Sequence, residues 1–332
     1  MKKLINSPDT VVDDALRGLS LSRPDLRVDR TQRVVARAGQ PRVGKVGVVS
    51  GGGAGHEPLH TGFVGEGMLD AAVVGEIFTS PNPDQILAAA RMVNAGAGVL
   101  FIVKNYTGDV MNFEMAAELA QMEGIEVRMV FVADDVAVED STFTAGRRGV
   151  AGTVFVEKIV GAAAEAQMSL DELQALAEHV AANIRSMGVA LTSCVTPGAG
   201  RPTFDLPEEE IEVGVGIHGE PGRRREPLVE ARTIARRLVD PILADLDFSD
   251  ADAALLINGL GATALIELQI MAGEVIELLR NARVRVTHTT VGNYVTSLNM
   301  AGCSVTLLRV DGAMTRWLEA PSPVPGLGKA YP

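Results

Sequence analysis

The sequence predicts an α/β protein of two domains, each with a largely parallel or mixed sheet flanked by helices. Three observations carry this. Short β-branched apolar runs alternate with helical periods along the chain, as they do where strands feed crossover helices. The 332 residues exceed one ordinary domain and suit two. Hydrophobic residues make up 47%, enough for sizeable cores, and with aromatics at only 4% Ala, Val, Leu and Ile must fill them.

The elements follow in order. Residues 45–50 (KVGVVS) read as a buried strand leading into a glycine loop, and 70–75 (DAAVVG) as a second strand. Pro81-Asn82-Pro83-Asp84 opens a helix to about Asn94, with proline where its missing N–H costs nothing. Residues 98–104 (GVLFIVK) form a third strand, followed by a helix over 111–123 and a fourth strand over 126–132. Two Ala-rich helices are expected over 153–167 and 170–187, the second with Ser169 as N-cap. Residues 194–202 (CVTPGAGRP) are dense in turn residues and mark the passage between domains. The domains are therefore drawn at 1–190, with the glycine loop, His56 and Asp109, and 191–332, with His218. Strands over 212–217, 253–258, 283–287 and 304–310, with helices over 227–244 and 263–279, complete the second domain.

A formal charge of −12 argues against nucleic acid or an anionic membrane as the main partner, since both need a basic footprint. Two cysteines without metal spacing, Cys194 and Cys303, suit a reducing cytoplasm. The first residues carry no apolar h-region, and no apolar run reaches the roughly 18 residues of a membrane span. A cytoplasmic location is expected.

Three strand-end segments stand out: 50–58 (SGGGAGHEP), 104–109 (KNYTGD) and 214–222 (GVGIHGEPG). Ligands of α/β sheets bind outside the carboxyl ends of strands, so two histidines and a carboxylate delivered there suggest one site. The glycine loop lacks the Gly-Lys-Ser/Thr ending of a P-loop and is expected to bring flexible backbone close to a small ligand. His56-Glu57-Pro58-Leu59-His60 matches the zinc-protease spacing, but an interior proline costs a helix about 3 kcal/mol. Pro58 is better placed at a helix start, with His56 in the loop and His60 on the helix. Gly259-Leu260-Gly261-Ala262-Thr263-Ala264 fits a dinucleotide fingerprint, yet the confirming acid on the next strand is missing, and a tight turn closing over the other domain's substrate is the better reading.

His218 ends an alternating strand between glycines; it is either a structural imidazole or one that adds to a carbonyl. Asp109 is either a helix N-cap or a general base for a hydroxyl. Lys104 is either the polar end of its strand or a ligand for a polar substrate group.

Segments 50–58, 108–113 (GDVMNF), 146–149 (GRRG), 216–222 and 258–261 together resemble, in order and over nearly the whole chain, the substrate-binding subunit of dihydroxyacetone kinase, the DhaK or DAK1-domain family. The resemblance implies a ketose held on His218 as a hemiaminal. It implies that His56 and Asp109 handle the hydroxyl proton, and that Gly53, Ala54, Gly55 and Lys104 make further substrate contacts. Ala54 stands where the family often has serine. The resemblance also implies that this chain holds no cofactor: ADP or ATP with Mg²⁺ belongs to a separate nucleotide-binding partner subunit, and the chain is expected to form a homodimer. Other readings stay open: a ketose sensor of the same fold, a kinase subunit for a related short sugar such as erythrulose, and an NAD-type dehydrogenase built on 259–264.

Overall fold

The central strands of the first sheet, Gly47–Ala54 and Val99–Lys104, are buried because their sequences are apolar on both faces, the pattern of a parallel sheet covered by helices. The computed structural model describes residues 2–139, 144–220 and 222–322 together with 324 and 327. Pro221 of the Glu-Pro-Gly turn and the Pro/Gly-rich tail ending at Pro332 lie outside them. Helix α1 (Val11–Ser22) leads to an antiparallel hairpin, β1 (Leu26–Asp29) and β2 (Val34–Arg37). Then come β3 (Gly47–Ala54), β4 (Ala71–Ile77), α2 (Pro83–Val93), β5 (Val99–Lys104), α3 (Thr107–Met122) and β6 (Val127–Val132). The strand order is β1-β2-β4-β3-β5-β6, with β4, β3, β5 and β6 parallel. The chain leaves β3 for one neighbour and returns to the other, so the order reverses there, and the crevice beyond the carboxyl ends of β3 and β5 is the expected ligand position. Pro83 opens α2 behind an Asn82/Gln85 capping box.

Helices α4 (Thr153–Glu165) and α5 (Leu170–Ala182) follow, and α4 is buried at every position from Thr153 to Ala164. A helix covered all round must lie inside, and α4 does. It shares one apolar core with β3 and β5 of the first sheet, with Ala254, Leu256, Leu308 and Val310 of the second, and with Met314 and Leu318. The second sheet is built from β7 (Ile184–Ala190), β8 (Glu210–Val213), β9 (Arg224–Pro227), β10 (Asp252–Gly259), β11 (Arg285–Gly292) and β12 (Gly302–Val310). Helices α6 (Ala231–Asp245) and α7 (Leu265–Asn281) cover its outer face, and α8 (Gly312–Leu318) closes the described chain. Helices α2 and α3 cover the outer face of the first sheet in the same way.

The structure changes several sequence expectations. The second sheet is ordered β11-β10-β12-β7-β8-β9 with only β10 and β11 parallel, the mixed alternative of the expected fold class, while the boundaries of several elements move. The helix expected to reach residue 187 stops at Ala182; Asn183 caps it, and Ile184–Ala190 pairs with β12 instead. Strand β7 thus ends at Ala190, the last residue of the first domain drawn from the sequence, while pairing inside the second sheet. No long helix follows Pro58: only a single turn spans Thr61–Phe63, and His60 precedes it. Helix α3 begins at Thr107 rather than 111, which moves Asp109 from a loop into its first turn.

Candidate active site

The residues Gly51-Gly52-Gly53 are strand, not loop, and their lack of a side chain serves close packing. A Cβ on Gly51 would lie 2.6 Å from the Val73 carbonyl oxygen, on Gly52 2.4 Å from Lys104 Nζ, and on Gly53 2.4 Å from the Thr79 nitrogen. Only Gly55, at φ +104°, needs glycine for its backbone, and there the chain turns into His56.

His56 is 1% exposed and clamped from the second half of the chain. Its Nδ1 lies 2.7 Å from the Thr296 carbonyl, which only accepts, so Nδ1 carries the proton and Nε2 keeps a lone pair. That Nε2 is buried with no partner. Burial, then repulsion from His218 and Lys104, holds the imidazole well below its ordinary 6.5 despite the Thr296 carbonyl. The clamp is itself fixed by Asn258 at the end of β10. This fully buried side chain accepts from the Tyr294 and Val295 nitrogens at 2.9 and 2.8 Å and donates to the Val295 carbonyl. The turn 259–264 thus supports the segment that grips His56: Leu260 accepts from Ser297, and the Leu298 nitrogen donates to the Gly55 carbonyl.

Beneath the glycine strand lies a buried relay. Lys104 Nζ donates to the Gly51 carbonyl at 3.2 Å and to His60 Nε2 at 2.7 Å, and His60 Nδ1 meets Glu157 of α4 at 2.5 Å. Burial pushes Glu157 up to about 8 and Lys104 below its ordinary value.

His218 approaches from the other half. Its ring sits edge-on to Tyr106, His56 and Phe78, with centroids 4.4, 4.8 and 5.4 Å away, while His56 stacks on Phe78 at 5.0 Å. Behind it, Glu220 Oε2 accepts from the His218 backbone nitrogen at 2.9 Å. Burial alone would raise the Glu220 carboxyl; His218 and Arg148 outweigh it and hold it at about 2. Arg148 is fully buried, donating to Asp135 at 2.8 Å and to the Gly214 carbonyl at 2.7 Å.

These groups surround a cavity of about 420 Å³ lined by Gly53, Phe78, Tyr106, Gly108, Asp109 and His218, among others. Asp109 is 5% exposed and lines this cavity, and its Oδ1 is buried without a partner. Of the sequence-predicted residues, Gly53, Asp109 and His218 line the cavity and His56 packs on the His218 ring. Gly55 lies against the Phe78 ring that lines it. Ala54 packs its methyl into the apolar core, and Lys104 is covered by Gly51 and Gly52 rather than open to the cavity. Phe78, Tyr106, Thr296, Glu220, Arg148 and Glu157 were not assigned to the site from the sequence, nor was the pairing of His60 with Glu157. Tyr106, Arg148 and Glu220 had a signal there, inside the short KNYTGD, GRRG and GIHGEPG segments, and His60 had one in the His56–His60 spacing. Among the described residues no group of three or more His, Cys, Asp or Glu could hold a metal, and no helix is long and apolar enough to cross a membrane.

Residues 17–326 match the Dak1 domain model. The chain belongs to the Dak1 family. A curated relative from Listeria innocua, named PTS-dependent dihydroxyacetone kinase 1, dihydroxyacetone-binding subunit DhaK, is 53% identical over 322 residues, covering 96% of this chain and 97% of that one. Two solved structures resemble this Dak1 chain across their folds. One is described as the dihydroxyacetone kinase operon co-activator Dha-DhaQ, with 38% identity, TM-score 0.89 and coverage of 93% and 96%. The other is the dihydroxyacetone kinase from C. freundii in complex with AMP-PNP and Mg²⁺, with 35% identity and TM-score 0.90, all of this chain covering 62% of that one. The Dak1 assignment agrees with the two-sheet α/β architecture and with the resemblance drawn from the motifs.

Proposed function

We propose that this chain is the dihydroxyacetone-binding subunit of a dihydroxyacetone kinase, a phosphotransferase with an alcohol acceptor. The ketose enters the cavity, His218 adds to its carbonyl as a hemiaminal, and its terminal hydroxyl is phosphorylated by a nucleotide-bearing partner to give dihydroxyacetone phosphate. The observation that carries this is convergence: a pocket-lining imidazole from one half of the chain packs on His56, whose Nε2 is buried and unpartnered, and shares its pocket with Asp109, whose Oδ1 is likewise buried and unpartnered. Covalent anchoring selects a short carbonyl compound over glycerol, which has no carbonyl to attack. It also fixes the hydroxyl for a transfer that depends on positioning and charge. His56, unprotonated at Nε2, or Asp109 takes the hydroxyl proton.

The nucleotide, ADP or ATP with Mg²⁺, belongs on the partner, which covers the pocket mouth and excludes water. The name of the Listeria relative supports a donor recharged by a phosphoenolpyruvate-driven phosphocarrier. A cytoplasmic homodimer, one partner on each chain, is the assembly we expect. Two buried free thiols fit that compartment. The co-activator structure favours one second reading, a ketose sensor that binds without phosphorylating.

The test is to incubate the purified chain with dihydroxyacetone, first alone with ATP and Mg²⁺, then with a partner subunit and its donor system. Ester is expected only in the second mixture. Product from the lone chain, at a rate scaling with its concentration, overturns the division of labour; binding without ester in either mixture selects the sensor. A crystal soaked with the ketose tests the adduct: density for a free ketose, beyond bonding distance of the His218 ring, removes it.

A further inference from the structure

We propose that Glu220 is the positioning residue of His218: its carboxylate holds the proton on Nδ1 and so leaves Nε2 free to attack. This rests on the covalent reading of His218 and adds to it the group that sets the nucleophile's tautomer.

The geometry is specific. Glu220 has two oxygens with different tasks. Oε2 takes the His218 backbone N–H at 2.9 Å, which anchors the carboxylate beside the residue it serves. Oε1 is buried without a partner and lies 3.8 Å from His218 Nδ1. That is longer than a hydrogen bond. Such contacts are often loose before substrate arrives and tighten in the complex. The loop is shaped around this carboxylate: a Cβ on Gly216 would lie 2.0 Å from Glu220 Oε1, so glycine is what admits it. Arg148 stands behind at 3.6 Å through Nη1, itself fixed by Asp135 and the Gly214 carbonyl, and keeps the acid ionised although its side chain is 2% exposed.

The chemistry needs such a group. As the Nε2 lone pair forms the N–C bond, the carbonyl π pair moves to oxygen, giving an alkoxide and an imidazolium. A carboxylate facing Nδ1–H stabilises that imidazolium without taking its proton. The alkoxide then takes one proton from solvent, and the adduct remains an imidazolium whose Nδ1–H faces the Glu220 carboxylate, so one proton is taken up per adduct and no other reactant is needed.

Glu220→Gln makes a directional prediction. The His218 backbone N–H needs an acceptor, so the amide oxygen must take the Oε2 position. The NH₂ then faces Nδ1 and donates to it, which forces the proton onto Nε2 and removes the attacking lone pair. The experiment uses the full chain with ¹⁵N-labelled histidine and dihydroxyacetone ¹³C-labelled at C2. Expected are an Nδ1–H tautomer for His218 in the wild type, an Nε2–H tautomer in Glu220→Gln, and an adduct equilibrium weakened at least about tenfold. Glu220→Asp, which restores the charge, should recover part of both. A wild-type His218 protonated at Nε2 overturns the proposal without any variant being made. So does a Glu220→Gln protein with unchanged tautomer and adduct within about threefold of wild type. If the wild type forms no adduct, the covalent reading falls, while the tautomer comparison still decides the role of Glu220.

Discussion

At the scale of single residues, the site depends on which proton sits on which nitrogen. His56 is held to one tautomer by a carbonyl, and burial keeps it uncharged, so two expectations follow. First, phosphorylation measured with a competent partner should show no loss from His56 protonation as pH falls from 7.5 through 6.5; a fall centred on 6.5 that disappears in His56→Asn would mean the imidazole titrates freely. Second, the unfolded chain binds a proton on this residue below 6.5 and the folded chain does not, until a lower pH. The stability difference between wild type and His56→Asn should therefore shift against the wild type as pH drops through 6.5, at up to about 1.4 kcal/mol per pH unit. Denaturant unfolding at several pH values measures it. Asp109→Asn should keep ketose binding and lose at least about a hundredfold in turnover, because an amide cannot take the hydroxyl proton. Turnover near wild type would return Asp109 to a purely structural place in the first turn of α3.

At the scale of elements, α4 is the most constrained piece of chain. It is buried on every side, carries Glu157 toward the glycine strand, and at Gly161 runs so close to Met68 that a Cβ would lie 2.4 Å from its carbonyl oxygen. Glu157→Ala leaves Lys104 and His60 without their acid, and breaking a buried ionic cluster costs about 3–5 kcal/mol. Gly161→Ala forces backbone apart and should cost about 1–3 kcal/mol. Urea unfolding measures both. A loss below about 1 kcal/mol for Glu157→Ala would show that the Gly51 carbonyl alone holds Lys104.

At the scale of the whole molecule, one apolar core runs from the first sheet through α4 and α5 into the second. Residues of β3, β5, β10, β12 and α8 meet in it, so neither sheet can lose its inner face without exposing the other. Thermal unfolding should accordingly be a single calorimetric transition. Two separated transitions, with a fragment of either half remaining folded, would contradict a shared core. The same coupling explains the site: His218 reaches the His56 ring, and Thr296 reaches its nitrogen, because the two sheets are fixed against one helical layer.

The sequence by itself determined the parallel strands of the first sheet and the cap at Ser169, and it singled out His56, Asp109 and His218 as candidates. These are legible because apolar runs, capping residues and short motifs are local signals, complete within a few positions. It did not determine where β7 begins, since Ile184–Ala190 becomes a strand through pairing with β12, more than a hundred residues away in sequence. Nor did it assign the second sheet its antiparallel neighbours, because the alternation of strands with helices is silent on direction. The glycine run looked flexible for the same reason: only the packed neighbours Val73, Thr79 and Lys104 show that it is a crowded strand. Lys104 and Ala54 looked like substrate contacts because they border the right motifs, yet burial turned one into the base of a relay and the other into core. Tyr106, Thr296 and Arg148 belong to the site through distances that no spacing in the chain encodes. Which residues carry polar or reactive groups is a property of the sequence; which of those groups lose water and meet one another is decided only when the two sheets close on α4, because desolvation and hydrogen-bond geometry exist only in the packed state.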